Sequence, residues 1–225
     1  MNSKKRNIIA LAINSFIAVS SFVIMIKGVS KGASAGQVGE SMVGLGYFKA
    51  YTIDTNVING FIALMMATFN LYNLIEDKDE LPRFLVVAQL VSTVGVTVTM
   101  MTVIFFLSPM QYMAFGGFIW LFLKDMFFFH FFNPVLSIVN FVILDKRYKL
   151  NKKEIMSGII TTVVYSFVYA YNVLISKKWS DFYGFTFGGK LYMAAVSVIV
   201  MYLVSLLFSF VLVKLNAKSS EENNG

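Results

Sequence analysis

The chain has 225 residues, 57% of them hydrophobic and 14% charged, with 23 Phe, 11 Tyr, 13 Met, one His, no Cys and a net charge of +7. At a mean hydropathy of +0.71, its apolar surface exceeds what a water-soluble fold of this length buries, so it is an integral membrane protein. The absence of Cys excludes disulfides and thiolate catalysis, and one His with no Cys argues against an internal zinc site. The positive charge reads as membrane orientation and attraction to anionic lipid, and no motif supports nucleic-acid binding.

Read in chain order, Lys4-Lys5-Arg6 precedes an apolar run over 8–26. At about 19 residues and without a small-x-small cleavage site, this run is a retained first span rather than a signal peptide. A Gly- and Ser-rich loop follows to Gly46. The second span, 48–75, opens with Tyr47-Phe48-Lys49-Ala50-Tyr51-Thr52-Ile53-Asp54-Thr55-Asn56. At helical pitch Thr52, Asn56, Asn59 and Asn70 fall on one stripe with Ala63 between them, and Asp54 points away toward the interface. Such a stripe is either a site or hydrogen-bonding glue between spans.

A polar turn over 76–82 ends at Pro82, suited to the first turn of the third span, 83–107. The hydroxyls scattered along that span can bond carbonyls one turn back, which makes most of them packing residues. The stretch 108–125, aromatic and containing Gly116-Gly117, is re-entrant, interfacial or the start of the fourth span.

The fourth span, 126–144, carries His130. Pro134 lacks the N–H that would bond the carbonyl of residue i−4, His130 itself, so the turn should be opened or kinked. His130, Asn133 and Ser137 share one side with Asn140 at its edge, while Phe128, Phe131, Phe132, Val135 and Val139 cover the rest. The polar side should face protein, and an ionisable group at that depth marks a functional site. After a basic cluster over 146–153, the fifth span, 155–175, shows Thr161, Tyr165, Tyr169 and Asn172 at helical spacing. An aromatic loop leads to the sixth span, 191–213.

These elements describe a single all-α transmembrane domain over 1–215, six helices in all, with a disordered polar tail over 216–225. Lys and Arg concentrate on the side of Lys4, Lys5, Arg6, Lys78, Arg83 and the 146–153 cluster, which places both termini in the cytoplasm of a cell-membrane protein. No Gly-rich phosphate loop, Gly-x-Ser-x-Gly elbow or His-Glu-x-x-His motif is present, so neither cofactor nor metal is expected.

The second and fourth spans run in the same direction, which brings Thr52 and His130 toward one another. Neutral imidazole within hydrogen-bond reach is the usual base for a hydroxyl nucleophile, and Asn56 or Asn59 can orient the pair or donate to an oxyanion.

The Tyr47–Asn56 segment, together with His130 before Asn133-Pro134 and the acidic end Asp145, resembles the family of small six-span membrane proteins that includes the androgen-induced protein and the androgen-dependent TFPI-regulating protein, and most closely its bacterial branch. Its characterised animal members are intramembrane threonine hydrolases that cleave fatty acid esters of hydroxy fatty acids. The resemblance implies Thr52 as nucleophile and His130 as base, with membrane lipids and a lipid-like ester as partners. The residues themselves supply Asn56, Asn59, Asn133 and Ser137 as orienting or substrate-binding groups. Two other readings stand beside this one. A proton-coupled carrier would line a path with Asp54, Lys124, Asp125 and His130. In a non-catalytic scaffold or lipid-binding protein the polar stripes would only join helices. The sequence gives no oligomeric state.

Overall fold

The structure, a computed structural model, describes residues 2–31, 44–109, 122, 124–145 and 147–221, with 218–221 described as backbone only. The described residues form helices and no strands, and six helices are long and apolar enough to cross a membrane. They are α1 (Ser3–Lys31), α2 (Tyr51–Ile75), α3 (Arg83–Leu107), α4 (Asp125–Leu144), α5 (Lys152–Ile175) and α6 (Leu191–Glu221). The question of how 108–125 meets the membrane falls largely outside the described residues.

Lipid tails are as apolar as the side chains, so helices in a bilayer associate through close packing and hydrogen bonds rather than water exclusion. The chain is built accordingly. On α1, Asn7, Asn14, Ser21 and Gly28 recur every seventh residue and are buried, with Ala10, Ile17 and Ile24 between them. This seven-residue repeat keeps a small or polar seam on one side of a long helix. There α2 packs along much of α1, and Asn14 and Ser21 also meet Asn140 and Asn133 of α4. A Cβ on Gly60 would lie 2.7 Å from the Ser21 Cβ, and one on Gly28 would lie 2.1 Å from the Tyr47 ring, so both glycines set the approach of the two segments.

The most enclosed helix is α3. Its Val86, Leu90, Val94 and Val98, spaced by four, are fully buried and meet Met66, Phe141 and Leu212 from three other helices. The helix α6, by contrast, presents Ile199, Leu203, Leu207 and Phe210 outward. Gly158 lets α5 approach α6, since a Cβ there would sit 2.4 Å from Ser209 Oγ.

Both termini lie at one end of the bundle, closed by an ionic network. Arg147 bonds Asp79 at 2.9 Å, Asp145 at 3.4 Å and Asn7 Oδ1 at 2.7 Å, and Arg6 pairs with Asp79. Burial pushes the Asp145 carboxyl above its ordinary range despite the adjacent Arg147 guanidinium. The neighbouring Arg83 forks onto Glu154, which also completes a capping box with Asn151 at the start of α5. The polar tail expected from Asn216 begins differently. The helix α6 continues to Glu221, and Asn216 is buried with its amide donating to the carbonyls of Phe141, at 2.7 Å, and Asp145. These carbonyls, at and just beyond the end of α4, need donors that the helix itself cannot supply.

Three of the spans contain four π-helical turns between them: Val103–Leu107 in α3, Phe128–Phe132 and Asn140–Leu144 in α4, and Tyr171–Ile175 in α5. Such turns are rare and concentrate at functional sites.

Candidate functional site

At the end of the bundle away from the termini, tyrosines fix the start of α2. The 3-10 turn Gly44–Lys49 leads into it. Tyr165 of α5 donates to the Lys49 carbonyl at 2.6 Å, and Tyr183 accepts the Tyr51 N–H at 3.0 Å, serving one of the donors that a helix start leaves over. Burial raises the Tyr183 phenol to about 12, so the group is neutral at physiological pH. The N-cap Ala50 has no side-chain acceptor. Thr52 is the second residue of this helix, whose first turn also carries Asp54.

Thr52 lies in the wall of a cavity of about 780 Å³ formed by α2, α3, α5, α6 and the loop over 176–190. Its lining is aliphatic and aromatic, with Val103, Leu107, Val173 and Leu174 contributed by two of the π-helical turns. Most hydroxyls at its edge are engaged with each other: Tyr51 Oη lies 3.1 Å from Thr161 Oγ1 and 3.0 Å from Thr162 Oγ1, Thr162 lies 2.7 Å from Ser205, and Thr55 lies 3.1 Å from Thr99. Thr52 and Thr102 are different: their hydroxyls bond none of the described residues, and the Thr52 carbonyl accepts from Asn56 and Thr55.

The loop over 176–190 covers this cavity with Tyr183, Phe185 and Thr186. Asp181 holds the loop by accepting from the backbone N–H groups of Phe185 and Thr186, from Thr186 Oγ1 and from Tyr169 Oη. Burial would raise the Asp181 carboxyl, yet these four donors hold it below its ordinary value. Loop Trp179 and Phe182 pack edge-on or tilted against Tyr169 and each other.

The fourth span places its polar side inward. His130, Asn133, Ser137 and Asn140 are buried, whereas Phe131 is exposed. The kink expected at Pro134 takes the form of the π turn Phe128–Phe132, in which the Asn133 N–H bonds the carbonyl of Phe128. In that register the carbonyl that Pro134 leaves without a donor is Phe129's, five residues back, rather than that of His130. Asn56 Nδ2 supplies the missing bond at 3.1 Å and also donates to the Thr52 carbonyl at 2.9 Å. One side-chain amide thus ties the turn of Thr52 to the residue preceding His130, and puts both at the same level of the bundle. The His130 ring packs edge-on against Phe122, 6.4 Å between centroids. It is not among the described residues that line the Thr52 cavity.

The other sequence candidates act deeper in the bundle. Asn59 donates to Ser137 at 2.8 Å, Ser137 donates to the Asn133 carbonyl at 2.8 Å, and Asn133 meets Ser20 and Ser21 of α1 at 3.0 and 3.3 Å. These three residues join α1, α2 and α4. Of the stripe Thr52, Asn56, Asn59 and Asn70, the asparagines face the packed interior and Thr52 faces the cavity. Asp125 pairs with Lys27 at 2.6 Å at the bundle's end. Neither it, Lys124 nor Asp54 is part of the wall of the Thr52 cavity, and among the described residues no three acidic or His side chains converge as metal ligands.

Sequence reasoning missed most of the cavity wall. Tyr165 and Tyr169 at helical spacing on α5 were a visible signal, but the contributions of Thr99, Tyr183 and Thr186 depend on how separate segments meet. Comparison of the chain with models of protein families, with curated proteins and with solved structures gives no match.

Proposed function

We propose that this protein is an intramembrane hydrolase of fatty acyl esters, with Thr52 as nucleophile and His130 as base. The observation that carries the proposal is the unengaged Thr52 hydroxyl in the wall of an apolar cavity, on a turn that Asn56 ties to the turn of His130. The cavity's hydrocarbon lining suits an acyl chain rather than a charged metabolite. The likeness of the Tyr47–Asn56 and His130 segments to the threonine-hydrolase family supports the same roles.

In the reaction Thr52 Oγ1 attacks the ester carbonyl and gives its proton to His130. The oxyanion forms near the start of α2, where the helix dipole favours negative charge. Collapse expels the alcohol, which takes the proton from His130. Water then attacks the Thr52 ester with its proton passing to His130, and the fatty acid leaves as that proton returns to Thr52. Both steps use the neutral imidazole as the base. In this reading the protein sits in the cell membrane with both termini cytoplasmic, because the ionic end is also the end where Lys and Arg concentrate.

The test is labelling of detergent-purified protein with a fluorophosphonate probe, comparing wild type with Thr52→Ala and His130→Ala after confirming that all three are folded. Labelling of wild type alone, mapped by mass spectrometry to Thr52, is the expected result. Probe that maps to another residue, or no probe on a wild type shown to bind a fatty acyl ester, removes the assignment. The second of these outcomes would favour a lipid-binding protein without chemistry.

A further inference from the structure

A second cavity, of about 200 Å³, lies among α1, α2, α3 and α4. Its polar walls are Asn14, Asn59, Gln89, Thr93, Ser137 and Asn140, all buried to 4% exposure or less. Part of this set is satisfied internally: Asn140 Nδ2 donates to Asn14 Oδ1 at 2.7 Å, and Asn59 donates to Ser137. The remainder is not. Asn14 Nδ2, both amide atoms of Gln89 and Thr93 Oγ1 have no hydrogen-bond partner among the described residues.

We propose that this chamber is a binding site for water, which bridges α1 and α3 through those four atoms. The chemistry selects the ligand. The unpartnered groups include donors and acceptors together, and rotating an amide by 180° does not change that for Gln89. A bare cation would leave the amide donors unserved and an anion the carbonyl oxygen, and no charged residue lines the chamber to balance either. A neutral molecule that both donates and accepts, of a size to fit beside Ile17, Ile62 and Met66, is water. Buried polar atoms in hydrocarbon surroundings require such a partner. The same face of α2 continues the pattern, with Asn56 Oδ1 toward Thr52 and both amide atoms of Asn70 on the other side also unpartnered among the described residues. The site does not depend on the hydrolase reading.

Hydroxyl radicals made by a short X-ray pulse arise from water in place and oxidise side chains beside it before they diffuse, and Met66 is a reactive wall residue only 2% exposed. Its neighbour Met65 is 40% exposed on the outer, lipid-facing surface. In the full-length wild-type protein, irradiated in detergent and read by peptide mass spectrometry, Met66 is oxidised ahead of Met65. In Thr93→Val and in Gln89→Leu that preference is lost while oxidation of Met156, exposed at the bundle's end, is unchanged. Met66 left intact while Met156 oxidises means a dry chamber and overturns the proposal, a result that wild type alone delivers if the variants fail to fold. Met66 oxidation that persists at the wild-type rate in both folded variants also overturns it.

Discussion

The two halves of this bundle solve the same problem in opposite ways. The half near the termini is closed: Arg147, Asp79, Asp145, Arg6 and Asn7 share one network, and Asn216 reaches across from α6 to the end of α4. The far half is kept open. There the hydroxyls of Tyr51, Thr55, Thr99, Thr161, Thr162 and Ser205 pair among themselves, and the aliphatic side chains between them surround a cavity instead of filling it. In lipid an apolar void can take up a lipid chain, so it need not remain empty, whereas an unpaired polar group has no such recourse. The comparison teaches that polar contacts hold the frame here, and that the cavity hydroxyls left out of them, Thr52 and Thr102, are the ones with capacity to spare for a ligand.

Substitutions in the two halves should therefore part company. Thr52→Ala should lower ester turnover by a factor on the order of 10³ or more, while moving the unfolding midpoint in detergent little, since Thr52 makes no side-chain hydrogen bond to give up. Loss of stability in proportion to activity would erase the contrast. Arg147→Ala should do the reverse. It leaves Asp145 buried without its partner, at a cost of about 3–5 kcal/mol, measured by thermal unfolding, and Asp145→Asn in the same chain should recover part of the loss. The folded fraction should still react at Thr52.

Asn56→Ala tests the tie between the halves. Removing an amide that serves two buried carbonyls should destabilise by about 1–3 kcal/mol, and it should also slow probe labelling of Thr52, because the turn of His130 is no longer pinned to it. A stability loss with unchanged labelling would separate the two turns functionally. The smallest effect belongs to the loop over the cavity. The Asp181 carboxyl titrates below its ordinary value of about 3.9. Its contribution is thus complete above that value and is lost only as the pH falls through the depressed one. In a Trp120→Phe background, Trp179 fluorescence should stay level from pH 7 to about 4 and change below that, and Asp181→Asn should show the changed signal at every pH.

Much of this architecture was legible in the sequence, and the reasons for the remainder are physical. Six spans follow from composition and run length, and the inward turn of His130, Asn133 and Ser137 follows from counting at 100° per residue. Counting also put Thr52 on the asparagine stripe, from which the structure separates it, because a residue at the margin of a stripe faces whichever neighbour stands beside it. Nothing in residues 83–107 announces that Thr99 meets Thr55 while Thr93 faces a chamber. The orphaned carbonyl near Pro134 was placed one residue too late because the count assumed α geometry. The end of α6 was set too early because Asn216, polar and near the terminus, reads as solvent-facing until the carbonyls of Phe141 and Asp145 are seen beside it.

The π turn over Phe128–Phe132 has one further consequence. A turn of this kind holds an additional residue while the helix on either side keeps its facing, so it behaves as a one-residue insertion that the helix has absorbed. Deleting Phe132 would let α4 run as α-helix up to its second π turn at Asn140. Asn133, Ser137 and Asn140 would keep their neighbours on α1 and α2, but His130 would swing away from Asn56 and Thr52. The position of this imidazole is thus written in the number of residues before Pro134 as much as in their kind, and a change of length there would act as strongly as a change of side chain.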